Sequence, residues 1–119
     1  MRLPSGKVPV DILQDVVFKH LGVKRKEVIL GPKVGVDGAI IEVGTRALIT
    51  SMDPITGALE RIGWLAVNVN ANDIATFGIR PTLFSSCILL PNHATEETVK
   101  TISEQMGRAT KKLEIAIIG

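Results

Sequence analysis

"NVNANDIATFGIRP", residues 68–81, decides how this chain is read. Three asparagines and an aspartate, Asn68, Asn70, Asn72 and Asp73, lie within six positions of what otherwise patterns as a buried helix. Amides and carboxylates cost free energy in a core unless each finds a partner, so the stretch must hold something. The helix is expected over residues 61–77. Ile62, Leu65, Ala66 and Val69 form an apolar stripe, while Asn68, Asn72 and Thr76 recur at i, i+4 and i+8 on another face. Gly78 ends the helix and Pro81 prevents it from resuming.

Outward from this helix, the chain alternates β and α signals. "VDILQDVVFKHLG" reads as a short helix with Gly22 beyond its end. "GVKRKEVILGPKVG" reads as a connector whose Lys24–Arg25–Lys26 patch faces solvent. "DGAIIEVGTRALITSMD" reads as a β-hairpin about "GTR", and "PITGALERIG" as the loop after it. "TLFSSCILL" is expected as an apolar third strand and "EIAIIG" as a fourth. Between them, "ATEETVKTISEQMGRATKKL" carries strong helix signals. Thr95 is the N-cap, Glu96 and Glu97 lie in the first turn and Lys111 and Lys112 in the last. Val99, Ile102, Met106, Ala109 and Leu113 give that helix a narrow apolar stripe. The expectation is an α+β fold: a four-stranded mixed sheet, two helices packed on one face and an N-terminal helix extension.

The totals exclude several function classes. The 119 residues suffice for one core, and 45% apolar content argues against disorder. No apolar run approaches the roughly 18 residues that cross a bilayer, and the N-terminus lacks a secretory h-region. Net charge is +2 with interspersed signs, and aromatic residues are 3% of the chain, so no nucleic-acid surface is expected. The single Cys87 excludes an internal disulfide and a multi-cysteine zinc site, and reads as a buried small side chain. His20 and His93 read as a helix-end and a loop residue. "VGVDGAIIEVG" has neither P-loop nor Rossmann spacing. Together these point to a cytoplasmic protein that engages neither membrane nor nucleic acid.

Asp37, Asp53 and Asp73 stand at or near element ends, too far apart in sequence for local spacing to gather them. Asp37 and Asp53 fall at the open end of the hairpin. Clustered carboxylates repel unless a cation neutralises them, and a hard oxygen set suits Mg²⁺ with phosphate and water completing its shell. The bland alternative is that each aspartate simply terminates its own element.

"GVDGA" (residues 35–39), "SMD" (residues 51–53) and "NDIATFGIRP" (residues 72–81) together resemble the ATP-binding N-terminal domain of the aminoimidazole ribonucleotide (AIR) synthetase, or PurM-like, superfamily. "SGKVPVDIL" and "VILGPKVGVDGA" are most similar to its branch of HypE hydrogenase-maturation and AIR-synthase-related proteins. The resemblance implies residues 1–34 as an N-terminal lid and helix and residues 35–119 as the ATP-binding domain. It implies Asp37, Asp53 and Asp73 as Mg²⁺ ligands bridging ATP phosphates, Asn72 as a group orienting phosphate or metal-bound water, and Asn68 as a site or interface residue. Lys7 and Arg80 are further phosphate or nucleotide candidates. It also implies a homodimer with a barrel-like shared sheet and the site at the interface. Usual members transfer phosphate from ATP, often activating an amide- or carbonyl-type oxygen. The family's Gly-Gly-x-Thr segment and second domain are not in this chain, which therefore reads as an N-terminal half whose acceptor is not encoded here. The thiamine-monophosphate kinase pattern of paired aspartates is missing at Asp37, which follows Val36. The competing reading is a non-catalytic homodimerisation module whose asparagine stripe serves assembly.

Overall fold

A computed structural model describes residues 2–58 and 60–119. Leu59, in the loop expected over residues 54–63, lies outside the described residues, as does Met1. The chain forms two compact units, Met1–Thr50 and Ser51–Gly119.

The first unit opens with α1, Val10–Asp15, followed by a single 3-10 turn at Val17–Lys19. Three antiparallel strands follow: β1 (Val28–Leu30), β2 (Ala39–Val43) and β3 (Arg46–Thr50), in the order β1-β2-β3. The β2–β3 hairpin is in register from Ala39↔Thr50 to Val43↔Arg46, which leaves Gly44 and Thr45 as a two-residue loop. Gly44 has φ 60°, the positive value that a tight hairpin needs at its first loop position and that a side chain would oppose. β1 was not foreseen, because "EVIL" within a basic connector is too short for periodicity to register. It pairs with β2 through an irregular step between Val28↔Ile41 and Leu30↔Ile40.

The second unit is built on two helices, α2 (Ile62–Ala75) and α3 (Glu96–Leu113), packed against each other. α3 starts where expected. The Thr95 hydroxyl accepts from the Thr98 backbone N–H while Thr98 Oγ1 accepts from the Thr95 N–H, a reciprocal capping box. Its apolar stripe supplies half of a small core of Val67, Met106, Ala109 and Ile115, flanked by Ala71, Phe84, Ile102 and Leu113. Gly63 permits the close approach of the helices: a Cβ there would strike the carbonyl oxygen of Ile102 and lie 2.9 Å from Cβ of Gln105. The Gln105 amide then brackets the start of α2, accepting from Gly63 N–H at 3.0 Å and donating to Glu60 O at 2.8 Å.

The remaining strands, β4 (Leu83–Phe84) and β5 (Ala116–Ile117), run parallel, with α3 as the crossover that parallel pairing requires. Their ladder extends through Ala116 N–H to Thr82 O, Ile118 N–H to Phe84 O and Ser86 N–H to Gly119 O. This corrects the expected single four-stranded sheet. Among the described residues the strands divide into a three-stranded and a two-stranded sheet, and neither is a closed barrel. Among the described strands, β4 and β5 hydrogen-bond only with each other. It also corrects the extent of the third strand, which pairs only over its first half; beyond it Cys87 is exposed rather than buried. Leu89 is 88% exposed. No helix among the described residues is long and apolar enough to cross a membrane.

Candidate functional site

Helix α2 answers the question its sequence poses, and it does so on two faces. At about 100° per residue, Asn70 and Asp73 project on the side roughly opposite Asn68 and Asn72.

On one face, the α2 polar residues hold the segment that follows the hairpin. Asn70 Oδ1 accepts from the Asp53 backbone N–H at 2.7 Å, and Asn70 Nδ2 donates to Asp53 O at 3.0 Å. The same Nδ2 donates to Ala66 O one turn back, at 2.9 Å, which fixes the amide on its own helix. Ser51 Oγ donates to Asp73 Oδ2 at 3.1 Å. Residues 51–53 are thereby fastened to α2 at two points one turn apart. The backbone of Asp53 thus lies against the side of α2 from which Asp73 projects, and both residues are half-buried. The Asn70 bracket is made with the backbone of Asp53, not with its carboxylate.

On the other face, Asn68, Asn72 and Arg80 line a surface cleft of about 220 Å³ with Ala71, Ala75, Ile79, Pro81 and Leu113. Asn68 Nδ2 donates to Trp64 O, 2.8 Å away in its own helix, so one of its donors already has a partner. Asn72 and Arg80 are exposed. The Arg80 guanidinium pairs with Glu114 at 3.1 Å, both side chains 77% exposed. The stretch after α2 turns through Gly78, at φ 77°, which places Arg80 beside the helix that precedes it.

The sequence-based candidates therefore fall into three places. The Asp53 backbone and Asp73 lie on one side of α2, and Asn68, Asn72 and Arg80 lie in the cleft. Lys7 and Asp37 belong to the first unit, both exposed. Asn70 was missed as a functional candidate. The available signal was its i, i+3 relation to Asp73, which sets these two apart from the i, i+4 stripe of Asn68, Asn72 and Thr76.

The donor set is of hard oxygens: two carboxylates and a hydroxyl. Among the described residues, no group of three or more His, Cys, Asp and Glu side chains is placed to hold a metal ion. An all-protein cage is thus not what the second unit offers. Mg²⁺ is ordinarily held through one or two carboxylates with phosphate oxygens and water filling the octahedron, so donors of this type and number suit it.

No solved structure matches the chain. A protein of Methanocaldococcus jannaschii, provisionally named a hydrogenase expression/formation protein, is 29% identical over 119 residues, covering 96% of this chain and 36% of that protein. The chain thus spans about a third of the length of that relative, whose name accords with the hydrogenase-maturation branch. The family of AIR synthase related proteins, N-terminal domain, matches residues 35–119, well over half the chain, so the chain belongs to that family.

Proposed function

We propose that this chain is the ATP·Mg²⁺-binding N-terminal half of an AIR-synthase-related enzyme of the hydrogenase-maturation kind. The observation that carries the proposal is the fastening of residues 51–53 to α2. It holds the backbone of one motif aspartate, Asp53, on the side of α2 from which another, Asp73, projects, with the Ser51 hydroxyl on the carboxylate of Asp73. Asp37 is the third carboxylate of the proposal, and Asn68, Asn72, Arg80 and Lys7 are its nucleotide contacts. Mg²⁺ held by Asp37, Asp53 and Asp73 would supply neutralisation of phosphate charge, which would open the terminal phosphorus to attack. The protein's own part is to present carboxylates at fixed positions and to offer amide and guanidinium donors to phosphate or ribose oxygens. The acceptor is an amide- or carbonyl-type oxygen, supplied with the remainder of the catalytic machinery outside this chain, and the protein acts in the cytoplasm.

The active form is a homodimer. The second unit supports this with large apolar side chains turned outward along and beyond β4, where Leu83, Leu89 and Leu90 are all exposed. A strand pair of this length is marginal by itself and gains from further strands. A second copy joining the sheet would cover that surface.

The test is a thermal-shift titration with Mg²⁺·ATP, beside Asp53→Ala and Asp73→Ala, with the sedimentation coefficient measured in parallel. A ligand at a hundredfold excess over its Kd stabilises the folded state by roughly 2.7 kcal/mol. A Mg²⁺-dependent rise in midpoint, lost in both variants, supports the nucleotide reading. A dimer that gives no shift favours the assembly module instead, and a monomer at tens of micromolar removes the dimer.

A further inference from the structure

The three asparagines of residues 68–72 are chemically alike but differently placed. Asn70 is the one whose amide is bonded to backbone groups on both sides, with two bonds to Asp53 and one to Ala66. An amide that both accepts from the N–H and donates to the carbonyl of one residue copies the exchange between paired β residues. It fixes the position of the Asp53 Cα and therefore the direction from which its side chain departs. Because Asn70 is also bonded to its own helix, the bracket transmits the geometry of α2, and hence of Asp73 three residues on, to Asp53.

Resting on the cation reading above, we propose that Asn70 is a positioning residue: it sets Asp53 against Asp73 for a divalent cation that its own side chain does not touch. The geometry explains why the amide type matters. Alanine removes all three bonds. Serine is too short to bridge both backbone groups of Asp53, though its hydroxyl can still reach the carbonyl one turn back. Asn68 and Asn72, on the opposite face, have no such role.

Gln105 supplies a matched control. It too uses one amide to bracket a loop against α2, accepting from Gly63 and donating to Glu60, but at the far end of the helix from Asp73. Removing it loosens the unit without touching residues 51–53.

The experiment is a Mn²⁺ titration of the ¹⁵N-labelled 119-residue chain, following paramagnetic broadening of the amides at residues 51–53 and 72–74. Wild type, Asn70→Ala, Asn70→Ser and Gln105→Ala are compared at a temperature where circular dichroism shows each folded. Asn70→Ala is expected to weaken Mn²⁺ by tenfold or more and Asn70→Ser by an intermediate factor, with Gln105→Ala within twofold of wild type. If Asn70→Ala fails to fold, the serine variant carries the comparison. Wild-type affinity in the Asn70 variants overturns the inference and leaves the cation reading intact. An equal loss in Gln105→Ala also overturns it, because general loosening then accounts for the effect. Absence of selective broadening in the wild type overturns the cation reading, and the inference with it.

Discussion

Ser51 Oγ and Asp73 Oδ2 stand 3.1 Å apart, joining the segment after the hairpin to a helix 22 residues later in the chain. The donor is a hydroxyl and the acceptor a carboxylate, so the bond is charge-assisted. Such bonds contribute about 1.5–3 kcal/mol when well enclosed, and partial exposure here places the value near the lower end. Ser51→Ala is expected to cost about 1.5 kcal/mol in urea denaturation. Asp73→Asn is the complementary change. Its amide oxygen still accepts from Ser51, so the midpoint should move little, while the Mg²⁺-dependent nucleotide shift should vanish. A large loss of stability in Asp73→Asn would instead mark Asp73 as a structural anchor.

Gly63 is held where no side chain fits. A Cβ added there meets the Ile102 carbonyl, a backbone atom that cannot swing aside, and the Cβ of Gln105 at 2.9 Å. Alanine gains about 1 kcal/mol in helix propensity over glycine. Overpacking a helix contact costs about 1–3 kcal/mol or more, and here the bracket from Gln105 to Gly63 is strained as well. The clash outweighs the propensity, so Gly63→Ala should lower stability by about 2 kcal/mol or more. A neutral or stabilising result would show that α2 and α3 are further apart than described.

The contrast between the two helices shows what the sequence could convey. α3 was legible end to end, because its signals are local. Thr95 caps it, its acidic and basic ends match the helix dipole, and Met106 and Ala109 fall on the foreseen stripe and are buried. α2 was legible as a helix but not in what its polar residues do. Asn68, Asn70 and Asn72 are the same residue type, and only tertiary partners distinguish a self-bonded amide from a bracket and from a cleft wall. The 61–77 span expected for α2 was longer than the helix observed over Ile62–Ala75, because the turn at Gly78 takes up its last residues. Strand pairing was the least legible element. "TLFSSCILL" is mostly apolar, and only the Ser85–Ser86 pair hints that the pairing ends near Ser86. For Asp37 the hairpin offered a local relation to Asp53, at the open end of the same strand pair, but nothing local relates either of them to Asp73.

In the first unit, the Arg25 guanidinium reaches Glu27 with two nitrogens, Nη2 at 2.9 Å and Nε at 3.2 Å. This pair holds the Glu27 carboxyl below its ordinary value, with a backbone hydrogen bond adding to the effect. A carboxyl lowered by folding adds stability above its unfolded pKa, and that contribution is lost as pH falls through the folded value. The group is too accessible for a sizeable contribution. The informative measurement is therefore the Glu27 titration by NMR. Arg25→Gln should move it up toward the ordinary glutamate range and leave the acid unfolding curve nearly unchanged. An unmoved Glu27 would assign the lowering to the backbone instead.

Glu114 closes α3 in the left-handed region, at φ 59°, the one non-glycine residue so placed among those described. A side chain there costs about 1–2 kcal/mol relative to glycine, and a negative charge at a helix C-terminus is mildly unfavourable as well. Against this stands the pair with Arg80, 77% exposed on both sides, and such surface pairs contribute about 0–1 kcal/mol. The backbone effect is the larger, so Glu114→Gly should stabilise the chain by about 1 kcal/mol. The gain should grow at high salt, where the ion pair it sacrifices is already screened. Holding Glu114 at a strained position beside the cleft has one structural consequence: it restrains Arg80. If the cleft contacts nucleotide through Arg80, Glu114→Gly should leave Mg²⁺·ATP affinity unchanged or raise it, whereas Arg80→Ala should lower it. A drop in affinity on removing Glu114 would mean that the pair, rather than the free guanidinium, is what the ligand recognises.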